Sequence, residues 1–80
     1  MNDKLVTLNR LPIGKKGRIF SIETTGSQRR RMQDLGLSGG TTVEALHQSP
    51  SGDPVAYFVR GTVIALRSED AKKIILTVPA

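Results

Sequence analysis

The sequence predicts a mainly-β domain, a small barrel or strongly bent sheet of about five short strands with one short helix inserted. Three observations predict it. Glycine and proline, 8 and 4 of the 80 residues, recur along the chain and cut it into short segments. Most of those segments have the β-branched and aromatic content of strands. Hydrophobic residues make up 38% of the chain with no Trp, one Tyr and two Phe, so the core is aliphatic and thin. A chain this short buries only about 60% of its unfolded surface, and a curled sheet covers such a core with both ends of the chain. Residues 1–80 read as one domain, without linker, repeat or low-complexity tract.

The elements follow in order. In "TLNRLPIGKKG", Leu8 and Leu11 lie one helical turn apart, and Pro12 stops that turn. "RIFSIE" (Arg18 to Glu23) is β-rich and ends at a Thr-Thr-Gly-Ser turn. "TTVEALH" places Val43, Ala45 and His47 on one face and Glu44 and Leu46 on the other. "QSPSGDP" is a turn cluster. "VAYFVR" and "TVIALR", separated by Gly61, form a hairpin. "SEDAKK" is one helical turn, with Ser68 as its N-cap and two acids at its positive end. "IILTV" is the closing strand, before Pro79.

The helix lies in "SQRRRMQDLGLSGG", Ser27 to Gly40. Ser27 is the expected N-cap and Gly36 the left-handed residue that ends the helix. Met32 and Leu35 share a face, and Leu37 folds back against the last turn. These three form a clasp onto the sheet, and Gly40 turns the chain into the next strand. Arg29, Arg30 and Arg31 then fall in the first turn, against the helix dipole, at roughly 0.3–1 kcal/mol each. Arg31 is expected to lay its stem over the apolar face. Arg29 and Arg30 are left unexplained by folding and are the candidate partner-binding residues.

These residues resemble the signature of the bacterial ferrous iron transport protein A family (FeoA), Arg-Leu-x-x-Leu-Gly-Leu-x-x-Gly. Here it is carried by Arg31, Met32, Leu35, Gly36, Leu37 and Gly40, with Met32 in place of the usual leucine, a swap that conserves volume. "LNRLPIGKKGRI" resembles the family's opening segment, and the stretch from Ser49 to Leu76 its Gly-Asp-Pro turn, hairpin and closing segment. The resemblance implies an SH3-like β-barrel with a helix inserted after the first long strand. It also implies a small regulatory protein that binds the membrane ferrous iron transporter FeoB, on its cytoplasmic portion, and has no activity of its own.

The remaining chemistry is sparse. The absence of cysteine removes disulfides and thiolate metal sites. His47 is the one histidine, and Asp34, Glu44 and Asp53 are scattered, so no ferrous site, other metal site or cofactor is expected. No nucleophile, paired carboxylates or oxyanion motif suggests an enzyme. The Ser51–Pro54 turn lacks the phosphate-loop pattern. A net charge of +5 suits nucleic acid, an anionic membrane surface or an acidic protein equally. Tyr57 and Phe58 are adjacent on a strand and face opposite ways, which weakens a base-stacking platform.

An SH3-like nucleic-acid-binding module is therefore the alternative, together with a detached SH3-like domain of the iron-dependent repressor type. No apolar run approaches the ~20 residues of a membrane span, and the polar N-terminus does not resemble a targeting segment. The expectation is a cytoplasmic module brought to the inner face of the membrane by its partner, with weak self-association through open sheet edges.

Overall fold

A computed structural model describes residues 3–79. The elements are β1 (Asp3–Thr7), a single 3₁₀ turn (Leu8–Arg10), β2 (Lys16–Ile22), α1 (Gly26–Asp34), β3 (Thr42–Gln48), β4 (Val55–Val59), β5 (Thr62–Leu66), α2 (Ser68–Ala71) and β6 (Ile74–Pro79). All strand pairs are antiparallel, in the order β1-β6-β2-β3-β4-β5. The sheet wraps around one core, but among the described residues no ladder joins β5 to β1, so it is not closed. The described residues thus form six strands rather than about five. The additional one is β1, in the polar N-terminal segment, which pairs with β6 from Asp3↔Pro79 to Thr7↔Ile75.

The core is aliphatic around one tyrosine. Leu8, Leu37, Val43, Val59, Ile74 and Leu76 are fully buried, with Tyr57 among them. Strict alternation does not supply this set. In β2, Ile19 and Ile22 both face inward although they are three apart. A register shift between Ile19 and Ser21 makes this work, and it leaves Phe20 60% exposed. A second shift between Ala45 and His47 does the reverse in β3. Val43 and Ala45 are buried, while His47, expected on their face, is exposed.

Local rules fix the connections. Thr7 leads into the 3₁₀ turn, whose Leu8 carbonyl accepts from the Leu11 N–H at 3.1 Å. The β4–β5 hairpin closes on Arg60 and Gly61 at φ +50° and +82°, the two left-handed positions of a type I′ turn. Ser68 is the first residue of α2 rather than its cap. Arg67 precedes it in extended conformation, and no side chain of the local segment caps the turn. Asp53 does so from the β3–β4 loop, its Oδ1 accepting the Ser68 N–H at 2.7 Å. The Gly-Asp-Pro turn therefore serves the fold.

Asp53 also acts on the core. Burial, and secondarily the Asp53 charge, push the Tyr57 hydroxyl above its ordinary pKa. That hydroxyl donates a long bond, 3.5 Å, to the Leu8 carbonyl, which already accepts from Leu11. An unfolded tyrosine ionises near pH ~10. The native state therefore holds a proton that the unfolded state has lost. Stability is full below about pH 10 and falls as the pH rises through the raised native value.

Denaturant unfolding of Tyr57→Phe is expected to show a cost below about 1 kcal/mol at neutral pH, because Leu8 keeps a donor. It should also show a shallower loss of stability above pH ~10 than the wild type. An unchanged alkaline slope would assign that loss to other groups.

Candidate functional site

The site begins with how α1 ends. Leu35 is the C-cap and Gly36 follows at φ +94°. The Gly36 N–H donates to the Gln33 carbonyl at 2.9 Å, and the Leu37 N–H to the Met32 carbonyl at 3.0 Å. This is the paired bonding of a Schellman motif, which brings the side chain after the glycine against the helix's last turn. Leu37 and Met32 are accordingly both buried. A Cβ on Gly36 would lie 3.3 Å from Arg60 Cδ and 3.5 Å from Val59 Cγ1, so the helix end also sits tightly against the hairpin. Gly40 finishes the connection, its N–H donating to the Ile19 carbonyl at 2.8 Å and its own carbonyl accepting from Arg18 Nε at 3.3 Å.

Two expectations about this stretch are corrected. Leu35 is 36% exposed and lies outside the core, because as the C-cap it follows the last helical residue and turns away. The clasp is Met32 and Leu37. The helix also begins at Gly26, with Thr25 as an N-cap whose side chain makes no capping bond, so Ser27 belongs to the first turn. This earlier start moves the arginines along the helix. Arg29 closes the first turn and Arg31 occupies the last, where a cation is favoured. The expected dipole penalty is thereby largely removed.

The three arginines have separate roles. Arg29 donates from Nη1 to the Ile22 carbonyl at 2.9 Å, tying α1 to the end of β2 in a partly buried setting. Arg31 reaches towards α2. Its side chain is 67% exposed and its Nη2 lies 3.9 Å from Asp70 Oδ2 in α2. A loose pair of this kind, with its arginine exposed, contributes at most about 1 kcal/mol. Beside it, Gln28 Oε1 accepts from Lys73 Nζ at 3.1 Å and from Thr24 Oγ1 at 2.9 Å. Arg30 is exposed and has neither hydrogen bond nor ion pair among the described residues. At 3.6 residues per turn it lies ~160° round the helix from the buried Met32. Of the three, it is the cation facing away from the body of the domain.

Other chemistry-bearing side chains stay apart. Among the described residues, no three His, Asp or Glu side chains converge as a metal site would require. No helix among them is long and apolar enough to cross a membrane. On the outer face of the sheet, Lys16, Glu44, Phe58 and Val63 follow one another across β2 to β5. Phe58 and Val63 are 42% and 57% exposed. The same Lys16, with Lys4, Arg10 and Lys15, surrounds a cleft at one end of the sheet. The sequence reading missed that grouping. Only Lys15 and Lys16 are adjacent in the chain, and they read as a simple turn.

A family model described as the FeoA domain matches residues 6–78. A protein of Porphyromonas gingivalis, described as a fusion of Fe(2+) transport protein A with the Fe(2+) transporter FeoB, is 34% identical over 67 residues. Those residues are 84% of this chain and 8% of that protein, so the chain spans only a small part of that relative. The solution structure of FeoA from Chlorobium tepidum superposes with a TM-score of 0.85 at 29% identity, covering 94% of this chain and 71% of that one. The structure of Stenotrophomonas maltophilia FeoA, determined with zinc and described as a prokaryotic SH3 domain protein, superposes at 0.80 and 26% identity, over 92% and 96% of the two chains. The signature residues, the SH3-like sheet and the family match agree, and the chain belongs to the FeoA family.

Proposed function

We propose that this chain is an accessory regulatory protein of bacterial ferrous iron uptake that binds the cytoplasmic portion of the transporter FeoB. The observation that supports the reading most directly is the Porphyromonas gingivalis relative, in which a segment similar to most of this chain is joined to FeoB in one polypeptide. Covalent joining holds two modules at high effective concentration. A chain not joined in this way would reach the same proximity by non-covalent docking, and would need a surface for it.

The arginine helix supplies one. The Met32–Leu37 clasp and the Arg29–Ile22 bond hold α1 in place, and Arg30 projects from it without a partner among the described residues. A rim cation of this kind acts mainly on association rate and salt dependence, by steering toward an acidic patch. Arg29 shares the helix, and its hydrogen bond fixes the surface from which it reaches. The reading assigns the chain neither catalysis nor a cofactor. Tyr57, whose hydroxyl is buried and held protonated, serves the core.

The alternative is a nucleic-acid-binding module, supported by the +5 charge and by two exposed aromatic side chains, Phe20 and Phe58. It predicts oligonucleotide affinity that falls by about one log unit per tenfold salt for each phosphate contacted.

Affinity capture of the FeoB cytoplasmic portion separates the roles. Arg30→Glu is expected to weaken capture severalfold at low salt, with an unfolding midpoint equal to wild type. Arg29→Glu is expected to weaken capture and also to destabilise the fold by about 1–3 kcal/mol, through loss of its bond to Ile22. Capture by Arg30→Glu at wild-type strength would remove α1 from the docking surface. Salt-steep oligonucleotide binding without FeoB capture would favour the alternative.

A further inference from the structure

We propose that the open end of the sheet is a second binding site, separate from α1, for an extended acidic protein segment carrying a large apolar side chain. The cleft holds about 430 Å³, within the range of sites that bury a ligand group. It lies between β1, the end of β6 and the loop that follows the 3₁₀ turn. Its floor is apolar, with Val6 from β1, Leu11 and Pro12 from the loop and Val78 from β6. Val6 and Val78 pack against the main core but are only partly buried, and Leu11 belongs to that core. An entering side chain would therefore rest on a fixed surface.

Cations come from three of the elements around the cleft. Lys4 stands on β1, Arg10 ends the 3₁₀ turn, Lys15 precedes β2 and Lys16 begins it. All four are exposed, and no acidic residue lines the cleft among the described residues. Four like charges around one apolar hollow repel one another, and an anionic ligand relieves that repulsion. The ligand chemistry follows from this pairing, with carboxylates for the rim and one aliphatic side chain for the floor.

The shape selects an extended protein segment. β1 is an edge strand whose sole strand partner among the described residues is β6, so its free side offers backbone groups to an extended chain. A lipid surface engages apolar groups that protrude, whereas these are recessed. Bases stack on aromatic side chains, and none lines this cleft.

The test is a titration of the isotope-labelled 80-residue protein with the capped peptide Glu-Asp-Leu-Glu-Glu at low salt, followed by amide chemical shifts. Saturable shifts are expected at Val6, Leu11 and Val78, with α1 unmoved. Arg10→Glu/Lys15→Glu should raise Kd about tenfold or more, and the neutral pair Arg10→Gln/Lys15→Gln should fall between that and wild type. Replacing the peptide's leucine by serine should also weaken binding about tenfold.

Shifts spread over all basic surfaces, or equal affinity for the serine peptide, would overturn the proposal. So would a single-stranded oligonucleotide or an anionic phosphatidylglycerol vesicle that moves the same amides more strongly than the peptide. The readout is independent of FeoB capture. A chain that binds the peptide but not FeoB would sink the transporter reading alone, and a chain that binds FeoB but not the peptide would sink this one alone.

Discussion

The turn at Gly36 is the constraint on which the arrangement of this domain depends. Its left-handed conformation lets two N–H groups bond back to the last turn of α1 and lays Leu37 over Met32. Met32 is the one buried residue of that nine-residue helix. A helix so short has little stability of its own. Its place on the sheet comes from this one apolar contact, from the Schellman bonds and from the Arg29 bond to Ile22. The rest follows geometrically, with Arg31 beside Asp70, Gln28 beside Lys73, and Arg30 outward.

The same economy holds elsewhere. A chain of 80 residues cannot dedicate many side chains to one task, and several here serve two elements at once. Asp53 closes a loop and caps α2, and its charge adds to the burial that keeps Tyr57 protonated. The register shift at Phe20 brings both Ile19 and Ile22 into the core and leaves an aromatic ring outside. Function is consequently a matter of what the surface offers. Two cationic surfaces stand out, a helix with one arginine unpartnered among the described residues and an apolar cleft lined by four cations. As proposed, they would suit different features of a partner, the first steering it and the second accepting a side chain.

Much of this was legible in the sequence, for identifiable reasons. Gly36 followed by Leu37 announces a helix end and its contact, and Gly61 between two apolar runs announces a hairpin. The signature around Met32 pointed to the SH3-like sheet. β1 was not legible, because "DKLVT" has no alternation and its pairing is decided by β6, more than seventy residues away in places. Nor were the two register shifts, so the predicted face of His47 was wrong. α1 starts at Gly26 with Thr25 as its cap, ahead of the expected Ser27, and this earlier start moves Arg30 and Arg31 out of the first turn and relieves most of the apparent dipole conflict. The cationic cleft draws on β1, the 3₁₀ turn, the loop and β6, so no local motif could reveal it.

On the proposed function, this chain acts by reaching FeoB and Arg30 helps it do so. Ferrous iron uptake can be measured in cells lacking their own copy of this protein and supplied with Arg30→Glu, either as a free chain or tethered to FeoB by a flexible linker. The free variant is expected to be impaired and the tether to restore uptake to the wild-type level, because effective concentration replaces the lost steering. Equal uptake by the free variant and the wild type, or an impairment that the tether leaves untouched, would contradict it.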